Sequence, residues 1–184
     1  MTKIDFGVAV FVGSLRRDSI NQRLANAIGH LAPPELSLYP VEIGELPFYN
    51  GDLESDRPAA VRRFTAECAR ADAYLFVMPE YNRSVPAVLK NAIDWGSKPQ
   101  AENVWRDKPA LITGTSPGVI GTAVGQGHLR QILAVLGGHV MGGEAYINFK
   151  PGLLDDDNHI QVHSTQEFLQ DYLDRFASFV RRLN

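Results

Sequence analysis

The chain has 184 residues, 45% of them hydrophobic and 21% charged, which fits one globular domain over residues 1–184 and excludes a disordered chain. A net charge of −3 provides no basic field for nucleic acid. The single cysteine, Cys68, excludes a disulfide framework or a cysteine-rich zinc site, and no apolar run approaches the ~20 residues that cross a bilayer.

The N-terminus carries Asp5 and no small-residue cleavage site behind an apolar core, so no signal peptide is expected and the cytoplasm is the expected compartment. Residues 8–12 form a continuous apolar run, as in a strand buried on both faces. Ile20, Leu24, Ala27, Ile28 and Leu31 then recur at helical spacing until Pro33-Pro34, which cannot donate the next helical bond. Residues 36–43 alternate as an outer strand, 44–57 are irregular, and Pro58 suits the first turn of a helix. Val61, Phe64, Cys68 and Ala71 line one face of that helix. Residues 74–78 predict a third strand and 85–95 a helix; 97–107 read as a linker. A fourth strand is expected at 110–112 and a loop at 114–121. Leu129, Ile132, Leu133 and Leu136 mark a further helix, stopped by Gly137-Gly138. Residues 140–147 contain a fifth strand, interrupted by Gly142-Gly143. An acidic turn at 155–158 precedes a last helix with Phe168, Tyr172, Phe176, Phe179 and Val180.

Five β-α units predict a doubly wound parallel sheet with helices on both faces. Five strands favour the flavodoxin-like order 2-1-3-4-5. Ligands of such sheets bind beyond the carboxyl ends of the strands, at the switch point. The loops there are 13–19, 79–84 and 114–121, and they are rich in Gly, Ser, Pro and Asn.

The first loop, Gly13-Ser14-Leu15-Arg16-Arg17-Asp18-Ser19-Ile20-Asn21, leads into a helix whose N-terminus presents unpaired N–H groups. Ser14, Ser19 and Asn21 add donors, and Arg16 adds a guanidinium suited to a phosphate dianion. The plain alternative is an ordinary helix start, with Ser19 as cap and Arg16 in solvent. The loop matches neither a Walker A loop nor a G-x-G-x-x-G fingerprint. In the second loop, Pro79-Glu80-Tyr81-Asn82-Arg83-Ser84-Val85-Pro86, rigid proline, an aromatic ring and amide groups can frame a planar ring; a helix capped by Ser84 is the alternative. The third loop's glycines permit close backbone approach.

Taken together, these stretches resemble the NADPH-dependent FMN reductase family. The likeness rests on Gly13-Ser14-Leu15-Arg16 with Ser19 and Asn21, on Pro79-Glu80-Tyr81-Asn82 with Ser84 and Pro86, on residues 89–95, on Gly118-Val119-Ile120-Gly121 and on His128-Leu129-Arg130-Gln131-Ile132-Leu133. It implies a flavodoxin-like fold with bound FMN and transient NADPH or NADH. Ser14, Leu15, Arg16, Ser19 and Asn21 would surround the 5′-phosphate. Pro79, Glu80, Tyr81 and Asn82 would line the isoalloxazine, and Ser116 and Gly118 would close its other edge. It further implies a homodimer or homotetramer, compatible with the apolar face of Val85, Val88, Leu89, Ala92, Ile93 and Trp95. Val124 and Gly127 stand where chromate-reducing relatives tend to carry arginine and tyrosine, so a tetramer contact loses charge and bulk there.

The implied activity is hydride transfer from NAD(P)H through FMN to a small-molecule acceptor such as a quinone or flavin. The cofactor carries that chemistry, so no catalytic side chain is assigned. A flavodoxin-type electron carrier is the second reading, although such carriers are usually strongly acidic. Cys68 falls on a buried helix face. His159 and His163 share i,i+4 spacing without a third ligand, so no metal site is assigned. Residues 155–158 lack the glycine and glutamate of a calcium loop.

Overall fold

The computed structural model describes residues 5–184. Met1 to Ile4, part of the stretch without a signal-peptide pattern, lie outside the described residues. In chain order the elements are β1 (Phe6–Val12), α1 (Ile20–Leu31), β2 (Leu36–Pro40), α2 (Ala59–Ala69), β3 (Ala73–Val77), α3 (Ala87–Gly96), β4 (Pro109–Ser116), α4 (Ala123–Val135), β5 (His139–Val140), β6 (Tyr146–Asn148) and α5 (His163–Leu183). Single 3-10 turns lie at Gly51–Leu53 and Gln100–Glu102.

Every strand pairing is parallel, in the order β2-β1-β3-β4-β5, with β6 also on β4. This is the expected flavodoxin-like topology. The expected fifth strand is split across Gly142-Gly143. β5 meets the start of β4 (Ala110 opposite Val140), and β6 meets its end (Thr115 opposite Ile147). Extending β4 to Ser116 also corrects the sequence reading, which places Gly114, Thr115 and Ser116 in a loop. β6 supplies the partner that keeps those residues extended. β2 ends at Pro40, short of the expected residue 43.

Alternate residues of the central strands enter opposite layers. Val8, Val10, Leu75 and Leu111 pack with Leu24 and Ile28 of α1 and Leu173, Phe176 and Val180 of α5. Ala9, Phe11, Phe76 and Ile112 pack under α2, α3 and α4. Trp105 belongs to this second core, 5.6 Å from Phe11 and 5.1 Å from Tyr74 between ring centroids. Its Nε1 donates to Ile93 O at 2.9 Å. The segment read as a linker therefore supplies a central core residue. An irregular segment between α3 and β4 has no periodicity to reveal this.

Leu89, Ala92, Ile93 and Trp95 of α3 are fully buried in the same core, so they do not form an oligomer face. Cys68 is buried there as well, and desolvation pushes its thiol pKa up. His159 lies before α5 and stacks on His30 at 4.3 Å, so it does not share a helix with His163. No helix among the described residues is long and apolar enough to cross a membrane.

Candidate cofactor site

The carboxyl ends of β1, β3 and β4 open into one cleft of about 150 Å³, lined by Ser14, Arg16, Ser19, Ile20, Asn21, Pro79, Glu80, Tyr81, Thr115, Ser116 and Pro117. Three loops distant in sequence meet there because β1, β3 and β4 are adjacent in the sheet. Leu15, Asn82 and Gly118 are not among the residues lining the cleft: Leu15 is 65% exposed, and an added Cβ at Gly44 would touch its side chain. Ile20, Thr115 and Pro117 line the cleft without any sequence signal that marks them. The last two lay inside a flagged loop, and only the extension of β4 shows which of its residues face the cleft.

One wall is the entry to α1. Ser19 is the N-cap, and its hydroxyl accepts from Gln22 N at 3.2 Å. A hydroxyl that accepts one bond still has its own hydrogen to give. Capping and ligand binding are therefore compatible at Ser19. Among the described residues, no hydrogen bond is made by the backbone N–H groups of residues 14 to 21. The first turn of α1 carries no acidic residue, so its positive dipole end is unopposed within the helix. The Arg16 guanidinium is exposed and has no acidic partner among the described residues. This donor set fits a phosphate dianion.

Asn21 has a different part. It is 1% exposed; its Nδ2 donates to Thr115 O at 3.0 Å and its Oδ1 accepts from Thr115 N at 2.9 Å. This two-bond clamp joins the first turn of α1 to the end of β4 and fixes the spacing of two walls.

The second wall follows β3. Tyr81 and Ser84 form an antiparallel bridge, with N–H donated in both directions at 3.2 and 3.0 Å. Asn82 and Arg83 between them have φ of 50° and 64°, the signature of a tight type I′ hairpin turn. Ser84 is therefore not the cap of α3. That helix starts two residues later, behind Pro86 and without a side-chain cap. Tyr81 is 47% exposed and lines the cleft. The Glu80 side chain is only 7% exposed. Its Oε2 accepts from Gly125 N at 2.9 Å, and Arg83 lies 3.3 Å from Oε1. Its carboxylate is occupied with the first turn of α4.

The third wall is the end of β4. Ser116 Oγ donates to Gly121 O at 2.8 Å and accepts from Gly118 N at 3.2 Å, so it folds its own loop. Gly114 passes so near β3 that an added Cβ would lie 1.9 Å from Met78 O.

Sheet order, switch-point cleft and unpaired donors together define a flavodoxin-like α/β protein built to hold a phosphorylated ligand. Its relatives sharpen that class. The family model for NADPH-dependent FMN reductase matches residues 7–152. A 2-hydroxy-1,4-benzoquinone reductase from Burkholderia sp is 47% identical over 175 residues, covering 95% of this chain and 96% of that one. A quinone reductase from Pseudomonas putida is 46% identical over 178 residues, covering 96% and 95%. The structure of FerB, a flavoenzyme NAD(P)H:(acceptor) oxidoreductase from Paracoccus denitrificans, superposes with a TM-score of 0.93 at 42% identity, covering 96% of this chain and 98% of that one. A WrbA-like flavodoxin from Agrobacterium tumefaciens shares the fold, with a TM-score of 0.63 at 19% identity and coverage of 98% and 100%.

The chain belongs to the NADPH-dependent FMN reductase family. It is an NAD(P)H-dependent flavin oxidoreductase with FMN as cofactor, and this reading is favoured over a non-enzymatic carrier.

Proposed function

We propose that this protein reduces quinones with NAD(P)H and that the switch-point cleft holds its FMN. The observation that carries the reading is the run of unpartnered N–H groups at residues 14 to 21 beside Arg16. It provides the charge and donors a 5′-phosphate needs, at the site where α/β sheets bind nucleotides. FMN, when bound, would supply the two-electron redox chemistry between nicotinamide and acceptor.

The chain's own residues bind and orient. Arg16, Ser14, Ser19 and the backbone of the first loop address the phosphate. Leu15 packs on Gly44 and holds that loop's outer bend. Asn21 sets the distance between the phosphate wall and β4. Pro79, the backbone of Glu80, and Tyr81 and Asn82 frame one side of the ring slot; Ser116 and Gly118 shape the other. No acid–base side chain is assigned a proton transfer. Reductant and acceptor use the same open face of the cleft in turn. Parallel double-reciprocal lines for NADPH and benzoquinone are the expected kinetics, with flavin bands in the visible spectrum of the purified protein. Intersecting lines would overturn the shared-face scheme, and a colourless protein that takes up no FMN would overturn the site.

The acceptor class rests on the two relatives named as quinone reductases. We also propose a homodimer or homotetramer. A cleft of about 150 Å³ is below the ~300 Å³ of ordinary cofactor pockets, so the ring needs cover from outside the subunit. Exposed Tyr81 lines the cleft, and Val119 (97% exposed), Ile120 and Val124 follow the third wall in sequence; they supply apolar surface for that cover. Light scattering should give a mass at least twice the subunit mass; a monomer at micromolar concentration would remove this part of the proposal.

A further inference from the structure

We propose that Glu80 and His128 are positioning residues that latch the Tyr81–Ser84 hairpin to α4 and so set the slot for the flavin ring without touching the flavin. The inference rests on the reading of the cleft given above.

The hairpin has a reason to need a latch. Two successive non-glycine residues, Asn82 and Arg83, sit at positive φ. Asparagine tolerates this region, but arginine does so at a cost, and such conformations persist only where the surroundings over-determine them. The turn is short, its bridge holds one residue pair, and Tyr81, Asn82 and Arg83 are exposed.

Two contacts outside the hairpin hold it, and both come from α4. Glu80 Oε2 accepts from Gly125 N at 2.9 Å. Gly125 lies in the first turn of α4, whose N-cap, Thr122, makes no side-chain cap bond. The carboxylate therefore satisfies an otherwise open helix donor and sits at the positive end of the helix dipole. One turn on, His128 Nδ1 lies 3.2 Å from Ser84 Oγ. Gly125 and His128 are three residues apart, so they share a helix face. The contact holds in either imidazole state: neutral Nδ1 accepts from the hydroxyl, and protonated Nδ1 donates to it.

The approach is close, and a side chain at 125 would make its neighbours shift. An added Cβ there would lie 3.1 Å from Ser84 O and 2.8 Å from Met78 Cε. α4 also begins directly after the loop of Ser116 to Gly121, the third wall of the cleft. The latch therefore ties the second wall to the third. Tyr81, between the two anchor points, takes its place from them.

A double-mutant cycle on the holoprotein tests this, read by the FMN dissociation constant and the visible spectrum of the bound flavin. Glu80→Ala should raise the dissociation constant about tenfold and shift the flavin bands, whereas Glu80→Gln, which keeps an oxygen for Gly125 N, should stay within about threefold. His128→Ala should cost about threefold. In a Tyr81→Ala background, both substitutions should lose most of their effect, because they act through Tyr81. Full multiplication of the Glu80 and Tyr81 effects would overturn the latch. So would a silent Glu80→Ala beside a perturbing Tyr81→Ala. A silent Tyr81→Ala would instead overturn the placement of the ring, and the latch with it. Should Glu80→Ala not fold, the same cycle runs with His128→Ala.

Discussion

Gly114→Ala should lower both the fold's stability and its FMN binding severely. The physical case is steric. Gly114 lies in β4 where that strand passes the end of β3, and Met78 N donates to Thr113 O at 3.1 Å. An added Cβ would sit 1.9 Å from Met78 O, 2.8 Å from Thr122 Oγ1 and 3.0 Å from Met78 C. The nearest atoms are backbone, so no rotamer change relieves the contact. β3 and β4 would have to part at the point where their ends line the cleft. Overpacking usually costs about 1–3 kcal/mol, and a backbone clash this short belongs at or above the top of that range. Domains have only ~5–15 kcal/mol to lose. The control is Gly127→Ala: Gly127 lies within α4 with nothing within 4 Å of an added Cβ, so the change should stabilise by about 0.5–1 kcal/mol. Urea denaturation of both variants, with FMN content measured on the same samples, decides the matter. An unchanged midpoint for Gly114→Ala would show that β3 and β4 can separate without cost.

Gly114 also shows what the sequence made legible and what it hid. The sheet order was readable because apolar runs and helical periods alternate along the chain. The three site loops were readable because the switch-point rule places them. Gly114 itself looked like one of several loop glycines. Its need for glycine comes from a neighbour in space, Met78, and local pattern carries no such information. Trp105 was hidden for the same reason, since it fills the core from an irregular segment. Glu80 and Asn21 were found as site residues, but their partners were not. The Asn21 clamp on Thr115 and the Glu80 bond to Gly125 join positions 94 and 45 residues apart. A helix start at Ser84 was a reasonable expectation from the Ser-x-Pro pattern. The hairpin won because the Tyr81–Ser84 bridge uses the Ser84 backbone and His128 engages its hydroxyl. Residue type and the switch-point rule thus single out three loops that share one cleft, while long-range pairing decides which of their atoms line it.

Arg16→Ala should weaken FMN binding by about 1.5–3 kcal/mol, the scale of a charged hydrogen bond, or roughly 10–100-fold in dissociation constant. Arg16 is free to serve a ligand. It lines the cleft, it is exposed, and it has no acidic partner among the described residues. The open N–H groups of residues 14 to 21 supply dipoles at the same place, but dipoles alone do not neutralise a dianion. Arg16→Lys should fall between, because an ammonium keeps the charge and loses the planar fork that matches two phosphate oxygens. Protein stability should barely change, since the side chain makes no bond that holds the fold. Riboflavin, the same ring system without phosphate, separates phosphate recognition from a general effect on the site. Fluorescence titration should show riboflavin binding equally well to the native protein and to Arg16→Ala, while FMN discriminates between them. Equal losses for both ligands would mean that Arg16 shapes the cleft rather than reading the phosphate. No loss for either would leave the phosphate to the backbone of the first loop, with the α1 dipole as its main counter-charge.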